Sequence, residues 1–395
     1  MIRRANLLFL LVGIVLAFVP NLRSAVGFPV YYLVFLYSIF FWITQATSWN
    51  ILSGYSGYFS FGQAAFTGAG LYTTAVLTLQ FDLNFFLAIP IAGTVAMLIA
   101  LLIGFVSFRL RSIRGEVFTL LTFIMAFVLA AVARLSKFID GGQGRAVEVP
   151  DYPAVLGSYT DLIYRMGLAM VIIALMIAYG IQYSKFGRGL FAIRDDEDVA
   201  EALGTPTFRY KMIVFAISGF LAGASGAIHS LQLSYVTIED TFNFIIPLFV
   251  ILMSTLGGRN HWLGPVFGAI VIYSLQDRLS GAGFADTSQI LLGVVLILTI
   301  LFVPEGLYGR LRSRWRLAAA IFVTVFVAQL VLGAFGSALT CFVVSVIVLL
   351  PALIVPARYL FWAGWLVPST SRDAAGERLP DRVAPDQGAG EALPR

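Results

Sequence analysis

Residues 195–201 crowd Asp195, Asp196, Glu197, Asp198 and Glu201 into a chain that is 59% hydrophobic and only 12% charged. Carboxylates in this order are suited to capping a helix. Asp195 is placed to be the N-cap, and Asp196, Glu197 and Asp198 fill the first turn, where they accept unpaired backbone N–H groups and face the positive dipole end. Val199, Ala202 and Leu203 follow at helical spacing as one small apolar face. Gly204 suits the C′ position, and Pro206 stops continuation. The stretch therefore specifies a short helix over 195–204. As a solvated loop helix it needs nothing more. A helix this short is marginal alone in water, however, and its apolar face points to a docking partner.

Other groups that could do chemistry are few. His229 and His261 lie far apart, which argues against a histidine metal site. Cys341 is the sole cysteine and sits in an apolar block, so an internal disulfide and a cysteine cluster are excluded. No G-x-x-x-x-G-K-[ST] occurs, so this is not the subunit that binds a nucleotide through a phosphate loop. No metal, no cofactor and no catalytic set is expected in the chain itself.

The elements that position these residues are hydrophobic blocks near 6–20, 28–47, 60–79, 84–107, 115–133, 161–181, 211–231, 241–256, 263–279, 288–304, 317–336 and 338–357. Many approach the roughly 20 residues needed to cross hydrocarbon as a helix. Soluble domains carry roughly twice this charged fraction. The reading is an all-α polytopic membrane protein of about 10–12 spanning helices. The first block follows Arg3 and Arg4, and no small-x-small cleavage site follows promptly, so it reads as a span. With the N-terminus in the cytoplasm and alternating spans, Arg109, Arg111, Arg114, Lys185, Arg188, Arg194, Arg209, Lys211, Arg259 and Arg310–Arg316 fall inside. Arg23, Arg134, Lys137, Arg145, Arg165 and Arg278 fall outside, and the opposite orientation violates the positive-inside rule. The charge of +5 therefore reports topology, not nucleic acid. Loop 182–210, with the acidic stretch, is cytoplasmic. Loop 134–160 is external. Residues 367–395 read as a disordered cytoplasmic tail.

Two segments are rich in glycine, SGYSGYFSFGQAAFTGAG (53–70) and LGGRNHWLGPVFGA (256–269). Such segments either pack helices tightly or break inside the membrane and line a pathway. The candidate pathway residues are Gly54, Tyr55, Gly57, Ser60, Gly62, Gln63, Gly257, Gly258 and Gly264. Glu116, Asp161, Arg165 and His229 lie near span ends, where snorkelling or a structural bond accounts for them. That scarcity of deep charge argues against a proton- or sodium-driven carrier.

SKFGRGLFAIRDDEDVAEALGTPTFRYKMIVFAISGFLAGASGAI resembles the cytoplasmic loop and following helix of LivM-type permeases, integral subunits of bacterial branched-chain amino acid ABC importers. WNILSGYSGYFSFGQAAFTGAGLYTTAVL, LRSIRGEVFTLLTF, VILMSTLGGRNHWLGPVFGAI and LFVPEGLYGRL resemble further segments of that family, in family order. The resemblance implies a permease domain over 1–311 and additional helices over 312–366. It implies that Glu201-Ala202, followed by Leu203-Gly204, docks in a cleft of an ATPase subunit. It also implies a bacterial inner-membrane location with both termini cytoplasmic, and lipid as a neighbour. The implied partners are two ATPase subunits, a second related permease and a periplasmic binding protein. Related permeases carry urea, amides or aromatic acids, and a secondary carrier or channel is the alternative of another class.

Overall fold

The computed structural model of the chain describes residues 2–21, 29–110, 115–150, 152–153, 157–281, 293–294 and 306–313. Most of block 288–304, the blocks at 317–357, Cys341, the tail and the proposed boundary at 366 lie outside the described residues.

Hydrocarbon offers the backbone no hydrogen bonds, so a spanning segment must satisfy its own, which a helix does. The described elements are α1 (Ile2–Ala17), α2 (Tyr31–Trp49), α3 (Gln63–Phe81), α4 (Phe85–Arg109), α5 (Glu116–Leu135), α6 (Tyr159–Gln182), α7 (Lys185–Asp195), α8 (Glu197–Ala202), α9 (Thr207–Leu233), α10 (Ile238–Thr241), α11 (Ile245–Gly257), α12 (Gly264–Gly281) and α13 (Gly306–Ser313). Two short strands, β1 (Arg145–Ala146) and β2 (Tyr235–Val236), pair antiparallel. Among the described residues, five stretches are long and apolar enough to cross a membrane by length and composition: Phe85–Arg109, Glu116–Leu135, Tyr159–Gln182, Thr207–Leu233 and Ile238–Gly257. The architecture is all-α and multi-pass.

The centre is α9, which packs on α3 and α4 through small residues. A Cβ at Gly223 would stand 2.3 Å from the Cβ of Ala96, and one at Gly70 would stand 2.0 Å from the carbonyl oxygen of Gly223. Close approach of this kind substitutes for a hydrophobic drive that lipid does not supply. The rim is formed by α1, α4 and α5, whose Leu11, Leu102, Leu120 and Phe127 are exposed for lipid.

Connections gather at two ends. One end holds the segment 55–62, loop 183–206 and the turn 258–263, tied by Arg194 Nη1 donating to Asn260 Oδ1 at 2.8 Å and by the Trp262 N–H donating to Gln182 Oε1 at 2.7 Å. The other holds residues 136–150 and the segment 234–244, joined by β1–β2 and by the pair Arg134–Glu239 at 2.8 Å. Ser158 and Asp161 form a capping box at the start of α6 there. This segregation matches the alternation of spans expected from the charge pattern.

Candidate functional site

The acidic stretch folds one residue later than its sequence suggests. Asp195 closes α7, and the N-cap of α8 is Asp196, in extended backbone (φ −160°). Its Oδ1 accepts the N–H groups of Asp198 and Val199, both at 3.0 Å. The reason is the preceding helix: α7, capped by Ser184, runs through Arg194 and Asp195 before the chain extends. At the far end the Gly204 N–H donates to the Glu201 carbonyl and the Thr205 N–H to the Ala200 carbonyl, both at 2.9 Å, with Gly204 at φ +87°. These paired bonds form a Schellman closure, which needs the left-handed residue that glycine supplies. The helix is 197–202, shorter than the expected 195–204.

The side chains of α8 divide by face. Ala200 is buried, whereas Val199 is 53% and Leu203 81% exposed, and Ala202 is exposed beside them. The anticipated apolar face therefore exists and points away from the chain's own core. Glu197, expected to serve the helix dipole within an ATPase-coupling loop formed by Asp195, Asp196, Glu197, Asp198, Glu201, Ala202, Leu203 and Gly204, turns inward. Its Oε1 accepts from Lys211 Nζ at 2.6 Å, and its Oε2 accepts from the Tyr58 hydroxyl. Lys211 also donates to the Tyr58 oxygen at 3.1 Å and stands over the Tyr58 and Phe108 rings at 4.6 and 5.1 Å. The side chains of Lys211 and Glu197 are 3% and 12% exposed, so the pair is nearly out of water. A buried ion pair persists only when its remaining hydrogen-bonding capacity is met; here Tyr58 meets it.

Tyr58 belongs to the break between α2 and α3. After Trp49 the helix relaxes into a π turn over Asn50–Gly54, and the chain is irregular to Gly62 before α3 starts at Gln63. The Trp49 indole donates to the Ser60 carbonyl at 2.7 Å. Thr122 of α5 accepts the Phe61 N–H at 3.0 Å, and Thr119 donates to the Phe59 carbonyl at 3.0 Å. Buried irregular backbone persists when its polar groups are met in this way. Gly57 takes φ +80° against Arg194, whose Cγ lies 2.8 Å from the Cβ that an alanine would bring. Inward of the break, Gln63 Nε2 donates to Gln45 Oε1 at 2.8 Å and to Ser48 Oγ at 2.5 Å.

The two glycine-rich segments meet. Ser254 Oγ donates to Asn50 Oδ1 at 3.0 Å, and the carbonyl oxygen of Arg259 lies 2.6 Å from a Cβ built on Gly54. Gly257, Gly258 and Gly264 close the α11–α12 turn, where a Cβ on Gly257 would stand 1.8 Å from the Gly264 carbonyl oxygen. Gly54, Tyr55, Ser60, Gly62, Gln63, Gly257, Gly258 and Gly264 are all buried, and Gly57 is exposed. Arg259 is exposed, with its guanidinium over the Phe59 ring at 5.4 Å. His229 is a structural partner of Tyr37, at 3.2 Å, stacked on Phe41.

Sequence reasoning missed Lys211 and Arg194 as site residues. The one available signal was a lone lysine at the foot of a long apolar helix.

Comparisons with known proteins follow the same lines. A family model described as "Branched-chain amino acid transport system / permease component" matches residues 31–300. The high-affinity branched-chain amino acid transport system permease protein LivM of Escherichia coli (strain K12) is 25% identical over 294 residues, covering 68% of this chain and 68% of that protein. The probable branched-chain amino acid transport permease protein LivH of Methanocaldococcus jannaschii is 22% identical over 265 residues, covering 63% of this chain and 82% of its own. The ribose import permease protein RbsC of Bacillus subtilis (strain 168) is 26% identical over 148 residues, 35% of this chain and 46% of that protein. No solved structure matches the chain.

Proposed function

The chain belongs to the branched-chain amino acid transport permease family, and from that premise we propose that it is the membrane subunit through which an ATP-driven importer passes branched-chain or related hydrophobic amino acids. It lies in a bacterial inner membrane, with its N-terminus and the α7–α8 loop in the cytoplasm. Hydrolysis takes place on two separate ATPase subunits, a second permease completes the pathway, and a periplasmic binding protein delivers the solute. The chain itself contributes no covalent chemistry and needs no cofactor.

The observation that carries this reading is the two-sidedness of α8. Its inner face is tied by Glu197 to Lys211 and Tyr58, while Val199, Ala202 and Leu203 are turned outward. A helix held from behind and apolar in front is suited to receive a push from a docked subunit and pass it to the α2–α3 break. The deciding experiment is co-expression with candidate ATPase subunits. Leu203→Asp should leave the amount of membrane-inserted chain unchanged and abolish both ATPase co-purification and leucine uptake. Gradient-driven uptake by the chain alone in liposomes, with no ATPase, would overturn the assignment in favour of a carrier.

A further inference from the structure

Two side chains that belong to neither glycine-rich segment hold the two segments together at the end that carries α8. Arg194 Nη1 donates to the Gly54 carbonyl at 3.3 Å, in the π turn, and to Asn260 Oδ1 at 2.8 Å, in the turn before α12. Gln182 Oε1 accepts the Trp262 N–H at 2.7 Å and the Tyr55 hydroxyl at 3.4 Å. Each therefore bridges the α2–α3 break and the 258–263 turn. The Arg194 guanidinium also stands over the Phe191 ring at 5.1 Å, and Phe191 meets Tyr55 edge-on with 5.4 Å between ring centroids. A guanidinium suits this place because its planar fork presents several donors in fixed directions.

Beside the bridges the segments touch backbone to backbone, since a Cβ on Gly54 would stand 2.6 Å from the Arg259 carbonyl oxygen. Little apolar surface secures this closure at its outer edge: Asn260 is exposed and the Arg194 side chain is 24% exposed. A hydrogen bond that water can replace holds far less firmly than a packed core. Arg194 is also two residues from Asp196, the one residue between α7 and α8. On the far side of Asp196, Glu197 reaches Tyr58. Residues 194–197 thus grip the break at both Gly54 and Tyr58, and a displacement of α8 is passed to both grips. We propose that Arg194 and Gln182 are positioning residues that form the clasp of a gate at the cytoplasmic end. Bridged as here, they shut the break against the 258–263 turn; displacement of α7 and α8 by the ATPase subunits withdraws Arg194 and lets the segments part. This inference rests on the import reading above.

The test uses the purified full chain in a Cys341→Ser background and the complete transporter in proteoliposomes. Ser53→Cys puts a thiol in the buried break, and Thr74→Cys puts one at a buried position of α3. N-Ethylmaleimide should modify both slowly. Adding Arg194→Gln should speed modification at 53 by roughly tenfold or more, as loss of a charged hydrogen bond implies, and leave 74 slow. In the transporter, Arg194→Gln should still hydrolyse ATP but move roughly tenfold less L-leucine per ATP, or lower still. A merely structural role would lower hydrolysis and uptake together. Gln182→Met keeps a side chain of similar length and removes the acceptor; it carries the same measurements if Arg194→Gln does not accumulate. Unchanged modification at 53, equal acceleration at 74, or wild-type leucine transport per ATP each overturns the proposal. If the wild-type complex imports no leucine, the import reading fails instead, and the modification rates at 53 and 74 then decide the clasp separately.

Discussion

Lys211 and Glu197 stand 2.6 Å apart across fourteen residues of chain, so the buried foot of α9 is tied to the helix in the loop before it. Removing one partner leaves a charge buried and uncompensated, which typically costs about 3–5 kcal/mol. Lys211→Met is therefore expected to lower the thermal unfolding temperature of the purified chain clearly. The double variant Glu197→Leu/Lys211→Met, with both charges gone, should recover most of that stability. Uptake should not recover with it, because Glu197→Leu removes the hydrogen bond that ties α8 to Tyr58. A double variant that transports like wild type would make the pair a packing feature with no part in coupling.

The outer face of α8 separates stability from docking. Leu203 and Val199 make little contact with the rest of the chain. Surface substitutions away from special features usually change stability by less than about 0.5 kcal/mol. Val199→Asp should leave unfolding unchanged and reduce ATPase co-purification by tenfold or more, as loss of about 1.4 kcal/mol or more at an interface implies. Glu201→Lys is the less clean probe. Glu201 lines a polar cavity of about 250 Å³ together with Tyr58, Arg109, Glu197 and Lys211. A lysine there places a third cation beside two, and disturbs the internal tie as well as any docking.

What could be read from the sequence was local. The capped helix at 195–204 was visible because its signals, Asp196 to Gly204, lie within nine residues of one another. Helix α9 and its partners were visible because lipid demands long apolar runs. The tie of Glu197 to Tyr58 and Lys211 was not, since it joins three segments that are neighbours only after the bundle has packed. The glycines of 53–70 announced an irregular segment but not its form. The π turn at Asn50–Gly54 depends on Ser254, and the stretch after it on Thr119, Thr122 and Arg194, none of them nearby in sequence. Block 241–256 read as one span, and Ile238–Gly257 is one stretch long and apolar enough to cross; within it Asn243 accepts the Ile245 N–H at 3.0 Å between α10 and α11, a local break that no periodicity announced.

Gly57, in the break, should tolerate alanine less well than Gly115, the N-cap of α5. Gly57 has φ +80° and a Cβ there meets Arg194 Cγ at 2.8 Å, whereas Gly115 has φ +55° with nothing within 4 Å. Both alanine variants are strained at positive φ; Gly115, at φ +55° and ψ −119°, lies outside the left-handed helical region, and such sparsely populated backbone costs about 1–3 kcal/mol. Only Gly57→Ala must also displace Arg194 from Gly54 and Asn260. It should unfold at a lower temperature than Gly115→Ala and lose uptake, while Gly115→Ala retains it. Equal behaviour of the two would show that Arg194 yields freely and does not anchor the break.

Ala202 offers a reporter of both orientation and docking, because it is exposed on α8 and flanked by Leu203. In a Cys341→Ser background, Ala202→Cys should be labelled by a membrane-impermeant thiol reagent only after permeabilisation. Gln143→Cys, exposed in the loop at the opposite end, should be labelled in intact cells. Alanine to cysteine at an exposed site costs a few tenths of a kcal/mol in helix propensity, roughly 0.7 at most, so the fold should be indifferent. Adding the ATPase subunits should then slow labelling of position 202 and leave position 143 unchanged. Labelling there in intact cells would place α8 on the other side of the membrane, and protection at 202 without ATPase would show its surface already covered; either result removes the surface on which the coupling argument depends.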